Sequence, residues 1–223
     1  MDKNLGKYRF NSTKIIISKN IVSYPEAMKF MEAKVNKIIK KEELDTIWLL
    51  NHPSIYTYGT TSKKSDFLKK NSLPLYKTNR GGQITYHGPG QRIAYYMINL
   101  NNKKKDIRYF VKILENILID TLSELNIQSR SYNDRIGIWV TKVNNINLKK
   151  EKKIGSIGLR IKKWVTYHGV SININNDLSF FKNINPCGIK DYSVTSLKDL
   201  GIIIKQNQFD NLLLKYSKKY LEI

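Results

Sequence analysis

Cysteine occurs once in this chain, at Cys187, and that scarcity excludes a good deal. No intramolecular disulfide can form, and no zinc site of the usual multi-thiolate kind can be built. Long apolar runs are also missing: nothing approaches the ~18 apolar residues that a membrane-spanning helix requires, so no membrane contact is expected. Residues 1–10 are polar and basic, without the apolar centre of a secretory signal or the Arg- and Ser-rich pattern of a transit peptide. A cytoplasmic address is the expectation. Acidic residues are few, 18 against 39 Lys and Arg, and the resulting formal charge of +21 would draw in acidic partners at low salt. Nucleic acid, anionic lipid and acidic proteins all fit that description. Lys, Asn and Ile are abundant along the whole chain, so compositional drift toward solvated lysines accounts for the charge as well. No internal repeat is present, and 223 residues are enough for one large core without cross-links, so a single domain over 1–223 is expected.

Residues 14–18 read as a strand. Ser23, Pro25 and Glu26 then resemble a helix start with a capping box, and Met28, Met31, Val35 and Ile38 recur at helical spacing up to about Lys41. Short β-rich runs at 46–50 and 55–58 flank a corner at His52-Pro53. Asp106 is a plausible N-cap for the clearest amphipathic helix, carrying Phe110, Leu114, Ile117, Leu118 and Leu122. Strand patterns return at 136–140, 154–161 and 164–174, the last two pairing as a hairpin across Lys162-Lys163. The Asn- and Lys-rich stretch 141–153 reads as a mobile connection. A final helix carries Phe209, Leu213 and Tyr216. Helices at the start, middle and end, with strands grouped between them, predict an α+β class with a mainly antiparallel sheet.

Four windows depart from this ordinary periodicity. Residues 80–91, from Arg80 to Gln91, contain four glycines, a proline and a histidine. Paired glycines let main-chain amides approach a ligand, and the adjacent arginine can pin an anionic or carbonyl group; a plain turn is the alternative. The window is neither a phosphate loop nor a dinucleotide fingerprint. Lys153-Ile154-Gly155-Ser156-Ile157-Gly158 sets a lysine beside a strand that glycine clears of side chains. Tyr167-His168-Gly169-Val170-Ser171 echoes Tyr86-His87-Gly88. Finally, Pro186-Cys187-Gly188-Ile189 holds the lone cysteine on a bend. Cys187 is either buried filler or chemistry; a free thiol ionises near pH 8.5, so a nucleophilic role needs a cation or base nearby, and Lys153 is the candidate.

In this order the four windows closely resemble the lipoyl(octanoyl) transferase family, whose motifs run Arg-Gly-Gly-x-x-Thr-Tyr-His-Gly-Pro-Gly-Gln, Lys-Ile-x-x-Ile-Gly, Tyr-His-Gly and Pro-Cys-Gly-Ile. The resemblance spans about 48–197. It implies the fold of biotin and lipoate ligases, an α+β domain whose mixed, mostly antiparallel sheet packs with helices. It also implies octanoyl transfer from acyl carrier protein to a lysine of lipoyl domains, in E2 subunits of 2-oxoacid dehydrogenases and in the glycine cleavage H protein. By position, Cys187 matches the acyl-thioester nucleophile and Lys153 its partner. Arg80, Gly81, Gly82, Gln83, Ile84, Thr85, Tyr86 and His87 match one acyl-substrate-binding segment, Ser156, Ile157 and Gly158 a second, and His168, Gly169, Val170 and Ser171 a third. No cofactor, metal or nucleic acid is implied. One departure follows the first motif, where Arg92-Ile93-Ala94-Tyr95-Tyr96 stands in place of the common Leu-Val-Gly-Tyr-Pro. Two rivals remain: an ATP-dependent lipoate ligase on the same fold, which would not need Cys187, and a basic single-strand nucleic-acid binder that stacks bases on its tyrosines. A zinc site from His52, His87, His168 and Cys187 ranks last, because no pair has the short spacing of known sites.

Overall fold

The computed structural model describes residues 5–10, 13–66, 68, 72–185 and 193–223, with only the backbone described for 5–10 and 64. The chain begins with strands β1 (Leu5–Phe10) and β2 (Thr13–Ile21), followed by helix α1 (Tyr24–Ile39). Strands β3 (Asp45–Asn51), β4 (Ile55–Tyr58), β5 (Leu75–Lys77), β6 (Thr85–His87) and β7 (Gln91–Met97) come next. After helix α2 (Ile107–Ser123) come β8 (Ile127–Arg130), β9 (Ile138–Val143), β10 (Ile146–Lys162), β11 (Val165–Asn173) and β12 (Ser193–Val194). Helix α3 (Gln206–Leu221) closes the described chain. No helix among the described residues is long and apolar enough to cross a membrane.

Among the described residues the strands form two sheets. The larger runs β1-β2-β3-β7-β11-β10-β9-β8, with β12 beside β10; the smaller runs β5-β4-β6. Pairing is antiparallel except for β2 with β3, β10 with β12 and β4 with β5, so the expected α+β class with a mixed, mostly antiparallel sheet is what the chain forms. Period-2 alternation divides the large sheet's side chains between two cores. Ile15, Leu49, Ala94 and Tyr96 face α2 and α3, whereas Ile16, Trp48, Leu50, Ile93 and Tyr95 face α1. Each fully buried Leu or Ile contributes about 1.5–3 kcal/mol, and both faces are lined with them. Tyr56 and Tyr86 of the small sheet make a third cluster with Ile84, Phe181 and Ile184.

Local chemistry explains the helix ends. Asp106 caps α2 as expected, its carboxylate accepting the Tyr109 N–H at 3.0 Å. Ser23 does not cap α1: its hydroxyl donates to the Glu26 carboxylate at 2.6 Å instead of accepting a backbone N–H, and Pro25 supplies the preset first turn. The expectation of a mobile connection over 141–153 is corrected. Those residues are the end of β9 and the start of β10, joined at Asn144-Asn145, whose φ values of 48° and 64° fit the left-handed turn that asparagine tolerates. The same geometry shifts the next turn one residue, to Lys163-Trp164 with φ of 48° and 64°. The β10–β11 hairpin itself forms as expected.

Two of the β7 residues that depart from the resembled pattern, Arg92 and Tyr96, are taken up by α3. The Arg92 guanidinium, fully buried, donates to both oxygens of Asp210 at 2.8 and 2.7 Å and to the Asn51 side-chain oxygen at 2.8 Å, while Tyr96 hydrogen-bonds Ser217 at 2.9 Å. Removing one partner of such a pair strands a buried charge. Asp210→Ala is expected to lower unfolding free energy by about 3–5 kcal/mol in urea titrations; a loss under 1 kcal/mol would show that the pair does not hold α3 to the sheet.

Candidate active site

A cleft opens along β10 and β11. Ser156 pairs with Ser171, and two residues on Gly158 pairs with Gly169, so this stretch of the sheet presents small side chains or none. Facing it is the 80–87 segment. Arg80 folds its guanidinium inward, donating to the carbonyls of Gly81 at 3.1 Å and Gln83 at 3.0 Å and to the carbonyl and hydroxyl of Thr57 at 3.0 and 2.8 Å. Its stem crosses the space left open by Gly158, where a Cβ would lie 3.0 Å from Arg80 Cδ and 3.2 Å from the Gly81 carbonyl oxygen. The Gly81 N–H donates to Leu159 of β10 at 2.9 Å. The glycine turn and the glycine-interrupted strand, distant in sequence, therefore interlock.

The three histidines, the only ones in the sequence, gather around this cleft and are neutral. His52 donates from Nδ1 to the Val22 carbonyl, which can only accept, and its Nε2 accepts the Tyr95 hydroxyl, both at 2.7 Å. Burial lowers its pKa to about 4. His87 donates from Nδ1 to Gln91 Oε1 at 2.7 Å; Gln91 in turn donates to the Tyr86 carbonyl and to Asn173. Burial, reinforced by charge repulsion from His52, brings His87 to about 3. His168 bonds Asn79 at 3.1 Å and stacks on Tyr167; burial and the neighbouring Arg80 cation lower it to about 3 as well. Its backbone has φ +62° in the middle of a strand, a left-handed conformation that costs a non-glycine residue roughly 1–3 kcal/mol and concentrates at functional positions.

Lys153 enters from β10, buried, with Nζ donating to the Ile136 carbonyl at 2.9 Å and lying 5.7 Å from the Trp139 ring centre. Cys187, expected as the nucleophile, lies outside the described residues. The described chain stops at Asn185 and resumes at Ser193, the start of β12, whose Val194 is the register partner of Lys153. Two buried polar atoms of the cleft lining, Gln83 Oε1 and Thr85 Oγ1, have no hydrogen-bond partner among the described residues. Each is the kind of group that a bound acyl donor or acceptor can satisfy.

The structure brings Lys153 together with Arg80, Gly82, Gln83, Ile84, Thr85, His87, Ser156, Ile157, Gly158, His168, Gly169, Val170 and Ser171 in one lining. Two members of the first segment sit elsewhere. Gly81 anchors the turn to β10, and Tyr86, alternating away from its neighbours on β6, stacks on Phe180 with ring centres 4.8 Å apart. Sequence reasoning missed Tyr24, Ile93, Tyr95 and Ile136, which complete the lining; His52, read from sequence as a corner residue and a last-ranked zinc candidate, sits behind Tyr95. Only His52 carried a local signal, as a histidine at a proline corner.

Residues 23–218 match the lipoyl protein ligase A/B catalytic domain family. The chain is 49% identical over 208 residues to an octanoyltransferase of Ehrlichia canis, covering 93% of this chain and 94% of that one. It is 45% identical over 203 residues to an octanoyltransferase of Bartonella bacilliformis, covering 89% and 84%. The chain belongs to the octanoyltransferase family. Its members are acyltransferases, and so is this enzyme. A bi-partite lipoate protein ligase from Thermoplasma acidophilum superposes with a TM-score of 0.67 at 14% identity, covering 91% of this chain and 82% of the ligase. At that identity the likeness shows a shared fold and leaves the reaction to the site residues.

The histidines give the site a pH signature. Each is held neutral when folded and has an ordinary pKa near 6.5 when unfolded, so unfolding takes up protons below that pH. Stability is full above pH 6.5 and falls as pH drops toward the folded values of about 4 and 3, with roughly 1.4 kcal/mol lost per pH unit for each histidine. Urea unfolding between pH 7 and 5.5 should show this decline, and a flat profile there would contradict the neutral, buried assignment.

Proposed function

We propose that this enzyme moves an octanoyl group from acyl carrier protein to a lysine of lipoyl domains through a thioester on Cys187, with Lys153 as its acid–base partner. Lys153 carries the reading: it is a buried lysine in a cleft also lined by Ile84, Ile93, Ile157 and Val170, and it pairs with Val194 of the strand that follows the Cys187 segment in the chain. In the first step an ammonium near the thiol favours thiolate, and the sulfur attacks the carrier thioester. A new carbon–sulfur bond forms, the carrier's breaks, and the carrier leaves as a thiol after taking up a proton. In the second step the target amine attacks the acyl-enzyme, a carbon–nitrogen bond replaces the carbon–sulfur bond, and the Cys187 thiolate departs. Having given its proton to the departing carrier thiolate in the first step, Lys153 is left as a neutral amine and accepts the proton that the target amine loses. Exchange of thioesters is nearly balanced and amide formation runs downhill, so no nucleotide is consumed.

The acceptors are read as the E2 subunits of 2-oxoacid dehydrogenases and the glycine cleavage H protein, and the setting as the cytoplasm. Acidic faces on donor and acceptor would give the +21 charge a role in encounter. The neutral histidines and the Arg80 turn are assigned to shaping the acyl site; His87, with a pKa of about 3, is a poor general base at neutral pH. An ATP-dependent ligase on this fold is disfavoured by the 45–49% identity to octanoyltransferases.

Incubating Cys187→Ser with octanoyl carrier protein should abolish the one-octanoyl mass increase seen with the unaltered enzyme, and an adduct that persists would place the nucleophile elsewhere. Lys153→Ala should fold normally and slow both half-reactions by roughly 10²-fold, the usual scale of a lost acid–base group. Near-normal single-turnover rates would show that another residue moves the proton.

A further inference from the structure

Residues 131–137, between β8 and β9, lie against the part of β10 that carries Lys153. Arg135 forms an ion pair with Glu151, which also accepts the Tyr132 hydroxyl. The Ile136 carbonyl accepts from Lys153 Nζ at 2.9 Å. Glu151 and Lys153 are two residues apart on one strand and leave the same face. The loop is thus held by its guanidinium at one position and by its carbonyl at the next. Trp139 completes the arrangement: its indole N–H donates to the Arg135 carbonyl at 3.2 Å, and its ring centre lies 4.6 Å from the Arg135 guanidinium carbon and 5.7 Å from Lys153 Nζ.

Gly137 lets the chain descend this far. Its φ is +138°, and a Cβ there would stand 2.5 Å from Lys153 Cε and 2.8 Å from the Gly155 carbonyl oxygen. A side chain at this position would push the loop off the lysine stem or the stem out of its place. Neither Arg135 nor Gly137 lines the cleft, so any influence on the chemistry passes through Lys153.

We propose that Arg135 and Gly137 are positioning residues for acyl transfer, clamping the Lys153 side chain so that its Nζ stays fixed in the cleft wall against the Ile136 carbonyl. The inference rests on the reading of Lys153 as the partner of Cys187. A lysine side chain left unclamped samples many rotamers, and its effect on a nearby thiol falls with distance. Of the charged neighbours along its own strand, Glu151 pairs with Arg135, and Lys152 pairs with Asp199 at 3.3 Å.

Because the chain has one cysteine, the rate of its alkylation by iodoacetamide against pH reports a single thiol. Full-length enzyme is compared with Lys153→Ala, Arg135→Gln, Arg135→Lys and Gly137→Ala, each checked for native circular dichroism. Arg135→Gln and Gly137→Ala are expected to react about tenfold more slowly at pH 7, as a shift of one pKa unit requires. They should approach Lys153→Ala, rejoin the unaltered enzyme above pH 9 and be partly rescued by Arg135→Lys. Folded Arg135→Gln and Gly137→Ala that follow the unaltered profile, while Lys153→Ala departs from it, would overturn the clamp alone. Should Arg135→Gln fail to fold, Gly137→Ala decides by the same criterion. A Lys153→Ala profile identical to the unaltered one would instead remove the assignment of Lys153, and the clamp with it.

Discussion

Arg80 lies with its guanidinium inside the protein, donating to Thr57 of β4 and to the carbonyls of its own turn, while its stem crosses the open space over Gly158 of β10. Hydrogen bonds from a charged donor contribute about 1.5–3 kcal/mol each, and these join the small sheet, the glycine turn and the large sheet at one point. The cleft is the gap that this join leaves. The catalytic candidate Lys153 on β10, the histidine on β11 and the turn at 80–87 therefore share one fixed frame, and a ligand entering the cleft meets preset walls, which is what positioning catalysis requires.

Electrostatics within that frame divide cleanly. Burial holds the three histidines neutral, with the Arg80 cation adding to it at His87 and His168, so these walls carry no histidine charge against an alkyl chain. Lys153 Nζ stands in the cleft lining against the Ile136 carbonyl. A cleft with apolar wall residues Ile84, Ile93, Ile157 and Val170, in which Arg80 is tied up by its own turn and Thr57, suits a substrate that is mostly hydrocarbon with a single reacting carbonyl. Tyr24 and Tyr95, with hydroxyl pKa values pushed up by burial, add neutral surface to the same walls.

Much of this was legible in the sequence because the relevant constraints are local. Gly155 and Gly158 announced a strand cleared of side chains, Asp106 a helix start, and the four windows in order announced the family. What the sequence hid depends on distance or on face. Nothing near Tyr24 or Ile93 indicates that they border the same space as Ser171, since a helix start and a strand far apart in the chain supply them. Tyr86 looked like part of a continuous ligand-binding run, yet alternation along β6 turns it into the small sheet's core. The run at 141–153 was misread because asparagine and lysine are usual in loops; two left-handed asparagines make it a hairpin. The Arg92–Asp210 pair joins residues 118 positions apart, and neither side chain reveals the other.

The most direct measurement is a crystal structure of the enzyme trapped with an octanoyl group from its carrier. Expected is density continuous from Cys187 Sγ into the trough floored by Gly158 and Gly169, with Lys153 Nζ within hydrogen-bonding reach of the thioester carbonyl. A chain attached to any other residue, or an acyl-cysteine whose carbonyl lies far from Lys153, would contradict the mechanism.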